Sequence, residues 1–417
     1  MAAAPFALPH PAAAKIRIVL SCSLSPPEIL RYRSLVIFFL IFGTVILGDA
    51  LWLLMALRRL PRVWMRIAAF VWGIAQLSAL AAISLGRGSG PTFYDGLPRW
   101  IHSTVLIWHL LIVMPWLLLQ AARGIVALAR KLTHPPASAA EVPSITRRDF
   151  IAAAATFAPP MLSFGASALG ETQLDDFRVR RLIIPLAQLP PALDGLTIAQ
   201  LTDLHAGRLT RGKVMERIVE ETNRLDADII ALTGDLINDS LRAMPAALEL
   251  VRGLRARHVI ASCEGNHDLI DNPREFYRQS EIGGLPLLRD ESATITIRGH
   301  RVQILGLPWT RSSAKMSDAT RALLAKRDPA AWPLLLAHHP HAWDLVDDIP
   351  LTLSGHTHGG QLMINEALGA GPMVFRYWSG VYTKPDRALV VSNGVGNWFP
   401  VRISAPAEIL HITLRRA

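Results

Sequence analysis

Three long apolar runs in the first third of the chain constrain its fold more than any other feature. They cover residues 34–57, 63–85 and 100–122, and each contains at most one charged residue. At a helical rise of about 1.5 Å per residue, each run can cross the roughly 30 Å hydrocarbon core of a bilayer. The pattern predicts three transmembrane helices within residues 34–130, after an N-terminal tail of residues 1–33.

The charge distribution agrees with membrane spans and argues against nucleic-acid binding. Residues 1–170 hold 15 of the 43 Lys and Arg but only 5 of the 33 Asp and Glu, so the net charge of +10 belongs to this part. A nucleic-acid-binding protein would carry its basic patch on the folded domain, so no nucleic-acid partner is expected. The largest basic groups, at residues 58–66 and 123–148, favour the cytoplasmic side. The C-terminal domain is therefore predicted on the periplasmic side of a bacterial inner membrane, which the chain crosses several times.

Residues 131–170 are predicted to form a linker and a fourth apolar segment. The linker, residues 134–144, is rich in Pro, Ala and Ser, and Arg147 and Arg148 precede a weakly apolar stretch. This stretch resembles a twin-arginine export signal, with small residues suited to cleavage near Ala168. The alternative is an ordinary fourth helix flanked by charge.

Asp49, His102 and His109 are ionisable side chains that lie well inside the apolar runs, whereas Arg66 lies near the start of its run. The two histidines are seven residues apart and therefore share a helix face. Intramembrane ionisable groups suggest haem binding or proton transfer as one hypothesis. Pairing within a small helical bundle is the alternative.

The pattern changes from residue 177 onward, where short apolar strands alternate with segments of helical spacing. The clearest helical segments are residues 213–225 and 243–254, and strands precede Asp203, Asp235 and Asn266. Such alternation predicts a layered α/β domain over residues 171–417.

Five loops that directly follow predicted strands carry oxygen and nitrogen ligands. They contain Asp203 and His205; Asp235; Asn266, His267 and Asp268; His338 and His339; and His356 and His358. Ligands of α/β sheets gather at the carboxyl ends of strands, and a donor set without thiolate suits Mn, Fe or Zn in an open hydrolytic site. His338 is favoured over His339 because it most directly ends its strand. Glycines at 234, 265 and 355 allow sharp turns beside these ligands.

These motifs resemble the calcineurin-like metallophosphoesterase superfamily, over roughly residues 176–417. The likeness rests on residues 196–205 (Leu-Thr-Ile-Ala-Gln-Leu-Thr-Asp-Leu-His), on residues 355–361 (Gly-His-Thr-His-Gly-Gly-Gln) and on residues 392–402. It is greatest to membrane-associated bacterial phosphodiesterases and enzymes similar to UDP-diacylglucosamine pyrophosphatase. The resemblance implies a four-layer α/β sandwich, in which helices flank two mixed sheets, preceded by the α-helical membrane region.

The resemblance also implies a ligand set for two divalent metal ions. One ion would be held by Asp203, His205, Asp235 and His358, and the other by Asp235, Asn266, His338 and His356, with Asp235 bridging. Two cations about 3.5–4 Å apart neutralise a phosphoester and convert a bridging water to hydroxide near neutral pH. His267 is expected to act on the leaving oxygen or the phosphoryl group rather than to ligate. Asp268 is predicted to orient His267; a helix N-cap is the alternative.

Two further features leave alternatives open. Arg311 stands in a loop where related proteins often carry an acidic pair, so it contacts either a substrate phosphate or solvent. The aromatic residues Tyr377, Trp378, Trp398 and Phe399 form either a lipid-facing rim or ordinary core.

The leading functional hypothesis is a membrane-anchored phosphoesterase that hydrolyses a phosphomonoester or phosphodiester, with lipid-linked phosphates as a favoured class. One alternative is a cytoplasm-facing nucleotide-lipid pyrophosphatase. Another is a membrane sensor or scaffold that keeps the fold without turnover. The sequence predicts no oligomeric state.

Overall fold

The computed structural model describes residues 26–85, 98–133, 145–365 and 367–417. The predicted tail up to residue 25 and the predicted linker at residues 134–144 lie outside these ranges. The helices of the first part are α1 (Pro26–Arg59), α2 (Val63–Leu85), α3 (Arg99–Leu106), α4 (Met114–Thr133) and α5 (Ile145–Gln173), and a π-helical stretch, Ile107–Val113, joins α3 to α4.

Two helical segments are long and apolar enough to cross a membrane among the residues that the structure describes. They are Val63–Ile83 and Arg99–Arg130, which match the second and third predicted spans. The first predicted span lies within α1, where many side chains fall outside the description, so its role stays a prediction. Together the two segments indicate membrane association.

The fourth apolar segment forms one continuous helix, α5, although it contains Pro159 and Pro160. Its side chains pack into the bundle, where Ala153 and Phe157 contact the cluster around Trp52 and Trp108. Of the two interpretations of this segment, its shape agrees with an ordinary fourth helix.

The C-terminal domain contains eleven described strands and five described helices. The strands are β1 (Arg178–Leu186), β2 (Thr197–Leu201), β3 (Ile229–Thr233), β4 (Val259–Cys263), β5 (Glu291–Ile297), β6 (His300–Gly306), β7 (Trp332–Leu336), β8 (Leu351–Ser354), β9 (Gly380–Lys384), β10 (Arg387–Val391) and β11 (Glu408–Arg416). The helices are α6 (Lys213–Arg224), α7 (Met244–Gly253), α8 (Pro273–Gly283), α9 (Ser313–Leu324) and α10 (Ala370–Val374).

The strands form two mixed sheets that pack face to face. Their orders are β1-β11-β2-β3-β4 and β5-β6-β7-β8-β10-β9. Apolar side chains from both sheets, such as Ile229 and Leu353, fill the space between them. Helices α6 to α8 cover the outer face of the first sheet, and α9 covers that of the second. The predicted sandwich of two mixed sheets flanked by helices is confirmed.

The end of α5 joins the membrane-associated helices to this domain. Arg99 at the start of α3 donates to the Asp175 carboxylate at 2.7 Å and to Glu171 at 3.0 Å. Gly170 lies so close to the Pro400 carbonyl that a side chain there would collide with it. The α5 helix therefore holds the sandwich against the first part of the chain.

Candidate metal centre

The loops that carry the predicted ligands leave one edge of the sandwich. Strands β2, β3 and β4 are parallel neighbours in the first sheet, and β7 and β8 are parallel neighbours in the second. Their carboxyl ends meet where His338 Nδ1 contacts the Thr233 carbonyl oxygen at 2.8 Å. All seven predicted ligands consequently lie in two adjoining groups.

The first group contains Asp203, His205 and His358. The His358 Nε2 atom lies 3.2 Å from Asp203 Oδ1 and 3.0 Å from His205 Nε2. His205 Nδ1 is buried and has no hydrogen-bond partner among the described residues. The atoms that converge here are the Nε2 atoms of His205 and His358 and a carboxylate oxygen of Asp203, and such a buried set of nitrogen and oxygen atoms fits a cation.

The second group contains Asp235, Asn266, His338 and His356. His338 Nε2 lies 3.2 Å from Asp235 Oδ2, 3.1 Å from Asn266 Oδ1 and 3.3 Å from His356 Nδ1. The same Asp235 oxygen is 3.6 Å from His205 Nε2 in the first group. Asp235 therefore lies between the two groups, within reach of His205 on one side and of His338 on the other. His339 instead contacts His341, with 3.2 Å between their Nδ1 atoms.

The backbone is strained at most of these ligands. Non-glycine residues rarely adopt positive φ, and each instance costs about 1–3 kcal/mol. The φ angles of Asp203, His205, Asp235, His356 and His358 lie between 45° and 74°. Backbone strain at these five residues indicates that bringing their side chains together outweighs the conformational preference of the loops.

Two of the predicted glycines have a specific steric reason. A side chain at Gly265 would overlap the Asp235 carboxylate, and one at Gly355 would overlap that of Asp203. The backbone φ angle is not positive at Gly265 or at Gly355. Here glycine provides close approach to the ligands, whereas at Gly234 it also provides a φ of 91°.

Burial and mutual charge shift the pKa values of the ligands in opposite directions. Burial would raise the pKa of Asp203 and Asp235, but the facing His358 and His338 hold both pKa values below their usual range. Burial lowers the pKa of His205 and His358 and lowers that of His356 to about 3. Ionised carboxylates and neutral imidazoles are the protonation states that bind metals.

His338 behaves differently from the other histidines. Its burial favours a low pKa, but the Asp235 carboxylate outweighs burial and raises the pKa to about 9. The Asp235 carboxylate thus favours a positive charge beside it. The family resemblance predicts a metal cation at the same position.

His267 lies at the edge of the two groups. Its ring packs edge-to-face on His205 with 4.5 Å between centroids, and its backbone N–H donates to Asp235 Oδ1 at 2.7 Å. The ring Nδ1 contacts the Asn238 carbonyl, which makes Nδ1 the donor, and the residue lines the cavity described below. Its atoms also come within ligand range of His205 and Asp235.

The role predicted for Asp268 is wrong. Its carboxylate accepts backbone N–H groups of Gly265 at 2.8 Å, Asp235 at 3.0 Å and Ile237 at 3.1 Å. The carbonyl of Asn238, not Asp268, holds the His267 ring, and Asn266 occupies the N-cap position of the short 3-10 turn. Burial and the charge of Asp235 raise the pKa of Asp268 to about 7. Asp268 ties two ligand loops together through their backbone.

Sequence reasoning missed the role of Arg402, a buried guanidinium behind the first group. It donates to the carbonyls of Gly396 at 2.6 Å and Asn393 at 2.8 Å, and its Nη2 lies 3.0 Å from His358 Nδ1. Arg402 therefore fixes the C-terminal loop against the His358 ring. Only its place in the 392–402 motif could have indicated this.

A cavity of about 380 Å³ opens above the ligands. Its walls combine Asn266, His267 and His356 with Leu110 and Leu111 from the π-helical stretch. The aromatic cluster divides between the two expected roles. Tyr377 and Phe399 are buried core residues, whereas Trp398 is 37% exposed and lines the cavity.

Two remaining features follow the simpler alternatives. Arg311 is exposed and stacks over Trp309 at 5.6 Å, so it is a solvated loop residue. Asp49 accepts from Trp108 Nε1 at 2.8 Å and pairs with His109 Nε2 at 2.9 Å, which is pairing within the bundle.

Comparison with known proteins agrees with this geometry. The family model for calcineurin-like phosphoesterases matches residues 196–360. An uncharacterised metallophosphoesterase of Helicobacter pylori is 29% identical over 233 residues, which are 52% of this chain and 60% of that protein. A Danio rerio transmembrane protein with a metallophosphoesterase domain is 29% identical over 252 residues, 56% of each chain. The Bacillus subtilis uncharacterised metallophosphoesterase YkuE is 28% identical over 239 residues, covering 54% of this chain and 82% of that protein.

The chain spans only 60% and 56% of the lengths of the first two relatives, so the likeness concerns the C-terminal domain. The residues that match the family model are also those that form the central strands of the two sheets and most of the candidate ligand loops. This chain carries a calcineurin-like metallophosphoesterase domain.

Proposed function

We propose that the chain is a membrane-anchored phosphoesterase that uses two divalent metal ions, of Mn, Fe or Zn type, to hydrolyse a phosphomonoester or phosphodiester. The observation that carries the proposal is the position of Asp235, which lines the cavity and lies within ligand range of His205 on one side and of His338 and His356 on the other. Bound divalent cations would neutralise the phosphate and acidify an attacking water. Lipid-linked phosphates are included because the cavity wall continues into a membrane-associated helix.

The chain's own residues supply positioning and proton transfer. The Asn238 carbonyl fixes the His267 tautomer, so Nε2 can accept a proton when the ring is neutral and donate one when it is charged. His267 lines the cavity, where a leaving oxygen would depart. Asn266 and His338 hold the Asp235 side of the site, and Arg402 supports His358.

The full-length chain, purified in detergent, tests the activity. It is stripped with a chelator, reloaded with Mn²⁺ and assayed on p-nitrophenyl phosphate and on bis-p-nitrophenyl phosphate. We expect hydrolysis of at least one ester that disappears on stripping and returns on reloading. A folded, metal-loaded protein that is inert on both esters would refute the proposal.

We further propose a multi-pass topology in a bacterial inner membrane, with the catalytic domain on the periplasmic side. The basic residues flanking the helices support this orientation. A phosphatase reporter that is active only outside the inner membrane, fused after Ala417, should be active. An inactive phosphatase fusion together with an active cytoplasmic reporter would favour the opposite orientation.

We also propose that the twin-arginine-like segment guides export but is retained as α5. Ser167 Oγ donates to the Trp100 carbonyl at 2.9 Å, and Asn397 donates to the Leu174 carbonyl at 3.0 Å, so both sides of Ala168 have partners. The intact mass of the membrane-extracted protein should include residues 145–173. A mature N-terminus near residue 169 would contradict retention.

A further inference from the structure

The cavity above the ligand groups has an apolar mouth, formed by Leu110, Leu111, Leu362, Val374, Phe375 and Trp398. This apolar mouth touches the metal-binding side directly. The Phe375 ring lies 5.9 Å from that of His356, and the Trp398 ring lies 6.2 Å from that of His358. A ligand with a phosphate at the histidines must therefore place its next atoms against apolar surface.

The described lining contains no Lys or Arg, and its polar groups beyond the ligand residues and His267 are few, chiefly Thr357 and Gln361. A nucleotide or a polyanionic head group would require several charged or hydrogen-bonding partners beyond the phosphate. The cavity volume of about 380 Å³ lies within the range of small-molecule binding sites. The cavity can therefore hold part of an alkyl chain as well as a phosphate.

The segment of residues 361–375 beside the apolar mouth exposes a cluster of large apolar side chains. Ile364 is 74% exposed, Leu368 53%, Met373 84% and Val374 68%. Single exposed apolar residues need no explanation, but a contiguous group of them marks a surface for protein or membrane. The segment is held in place, since Met363 N–H donates to the Ile403 carbonyl at 2.9 Å and Gly371 N–H approaches Met363 Sδ at 3.3 Å.

The opposite wall belongs to a helix that can itself cross a bilayer. Leu110 and Leu111 lie in the π-helical stretch of the candidate span Arg99–Arg130 and are 43% and 40% exposed. One turn earlier, Ile107 packs on Phe399 and Val401 of the C-terminal domain. Apolar side chains thus line the path from the candidate spanning helix to the candidate metal centre. π-helical turns, such as the one that carries Leu110 and Leu111, often occur at functional sites.

We propose that the apolar mouth binds the acyl chain of a membrane phospholipid that enters from the bilayer. The phosphate lies at the two ligand groups, and the chain lies between Leu110 and Leu111 on one side and Val374 and Phe375 on the other. The exposed side chains of Ile364, Leu368, Met373 and Val374 rest in the hydrocarbon of the adjacent leaflet. This inference rests on the proposed phosphoesterase function and defines its substrate as a lipid.

A series of alkyl phosphates tests the acyl site without requiring knowledge of the head group. Butyl, hexyl, octyl and decyl phosphate are compared as competitive inhibitors of p-nitrophenyl ester hydrolysis by the full-length chain. A fully buried CH₂ contributes up to about fourfold in affinity, so Ki should fall at least tenfold from butyl to decyl phosphate.

Variants then locate the effect. Leu111→Asn and Val374→Asn should each remove most of the dependence of Ki on chain length. Leu118→Asn is the matched control, because Leu118 is 69% exposed on the same spanning segment but does not line the cavity. Measuring all proteins in the same micelles cancels the partitioning of the longer phosphates into detergent.

The outcomes separate this inference from the proposed function. Ester hydrolysis with Ki values independent of chain length, or with equal effects of Leu111→Asn and Leu118→Asn, overturns the acyl site and leaves the phosphoesterase intact. Failure of the metal-loaded wild type to hydrolyse either ester overturns both.

Membrane contact of the exposed segment has its own test. A bimane label on Met373→Cys, in a Cys22→Ser background with Cys263 buried, is placed in nanodiscs that contain brominated phosphatidylcholine. Its fluorescence should be quenched by at least half. The control label on Asp318→Cys, at a side chain that is 72% exposed on α9, should be unaffected. Equal quenching at both positions overturns entry from the bilayer.

Discussion

Two buried clusters in this chain pair aspartate with histidine, one in the helical bundle and one at the edge of the sandwich. Asp49 lies 2.9 Å from His109, and Asp235 lies 3.2 Å from His338. In the bundle, each carboxylate oxygen faces one N–H donor, and the second His109 nitrogen contacts the Val105 carbonyl at 2.8 Å. The cluster is closed, and although Trp108 and His109 lie in the π-helical stretch, none of its three residues has a positive φ.

The second cluster is open in the chemical sense. Imidazole nitrogens face one another at 3.0 Å between His205 and His358 and at 3.3 Å between His338 and His356. Asp235 and four other ligands adopt left-handed backbone. A satisfied pair on an unstrained backbone is a structural element, whereas convergent lone pairs on a strained backbone indicate a site that binds something else.

The largest test of this comparison is Asp235→Asn. Loss of this carboxylate should lower both metal content and phosphoesterase activity, the latter on the order of 10³-fold, because the proposed function assigns Asp235 as an anionic ligand to both cations. Metal content is measured by elemental analysis of the purified protein. Asp318→Asn, at an exposed side chain, serves as control. If Asp235→Asn kept its metal and its activity, the cluster at the edge of the sandwich would be a structural element like the one in the bundle.

Arg402→Lys should have the next largest effect. Lysine cannot reproduce the fan of donors to Asn393, Gly396 and Asn397, so the support of His358 is lost. Such supporting residues typically change metal affinity or activity about 10–100-fold. Titrating the chelated protein with Mn²⁺ should show a higher midpoint than in wild type. Arg321→Lys, an exposed exchange on α9, controls for the loss of a guanidinium.

If turnover fell while the Mn²⁺ midpoint stayed the same, Arg402 would not contribute to metal affinity. It would then act through the C-terminal loop alone, which also carries Trp398 of the cavity wall.

Asp49→Ala should reduce stability rather than function. It leaves the Trp108 and His109 nitrogens buried without their carboxylate, and breaking a buried pair costs about 3 kcal/mol or more. The Tm of the detergent-solubilised protein should fall, while metal content and ester hydrolysis below Tm remain those of wild type. Asp49→Asn, which keeps an acceptor, should lower Tm less. Lost activity at unchanged Tm would instead favour a proton-transfer role.

The sequence predicted the central strands and the ligand loops because both are local patterns. Strands β3 and β7 are fully buried, so their apolar runs are unmistakable. Strands β1, β5 and β9 were not predicted, because edge strands such as β1, with three arginines, mix exposed and half-buried positions. Their pairing partners, not their composition, place them in the sheets.

The site was predictable to the same extent. Candidate ligands that directly follow strands can be named from the sequence, whereas Leu110 and Leu111 look like any other apolar residues of a predicted span until the sandwich packs beside them. Asp268 shows the limit most clearly. Its neighbour in sequence, His267, suggested a side-chain partner, but its actual partners are backbone N–H groups that no sequence displays.

Asp268→Asn is therefore the smallest and most discriminating of the expected effects. The amide keeps one acceptor oxygen but turns an N–H₂ toward backbone donors, which should cost about 1–3 kcal/mol of stability. Turnover should fall less than tenfold, because the Asn238 carbonyl still holds His267. His267→Ala provides the reference, since loss of a proton-transfer group costs about 10²–10⁴-fold. If Asp268→Asn matched His267→Ala in turnover at unchanged Tm, the carboxylate would act through the imidazole after all, and the backbone contacts would be secondary.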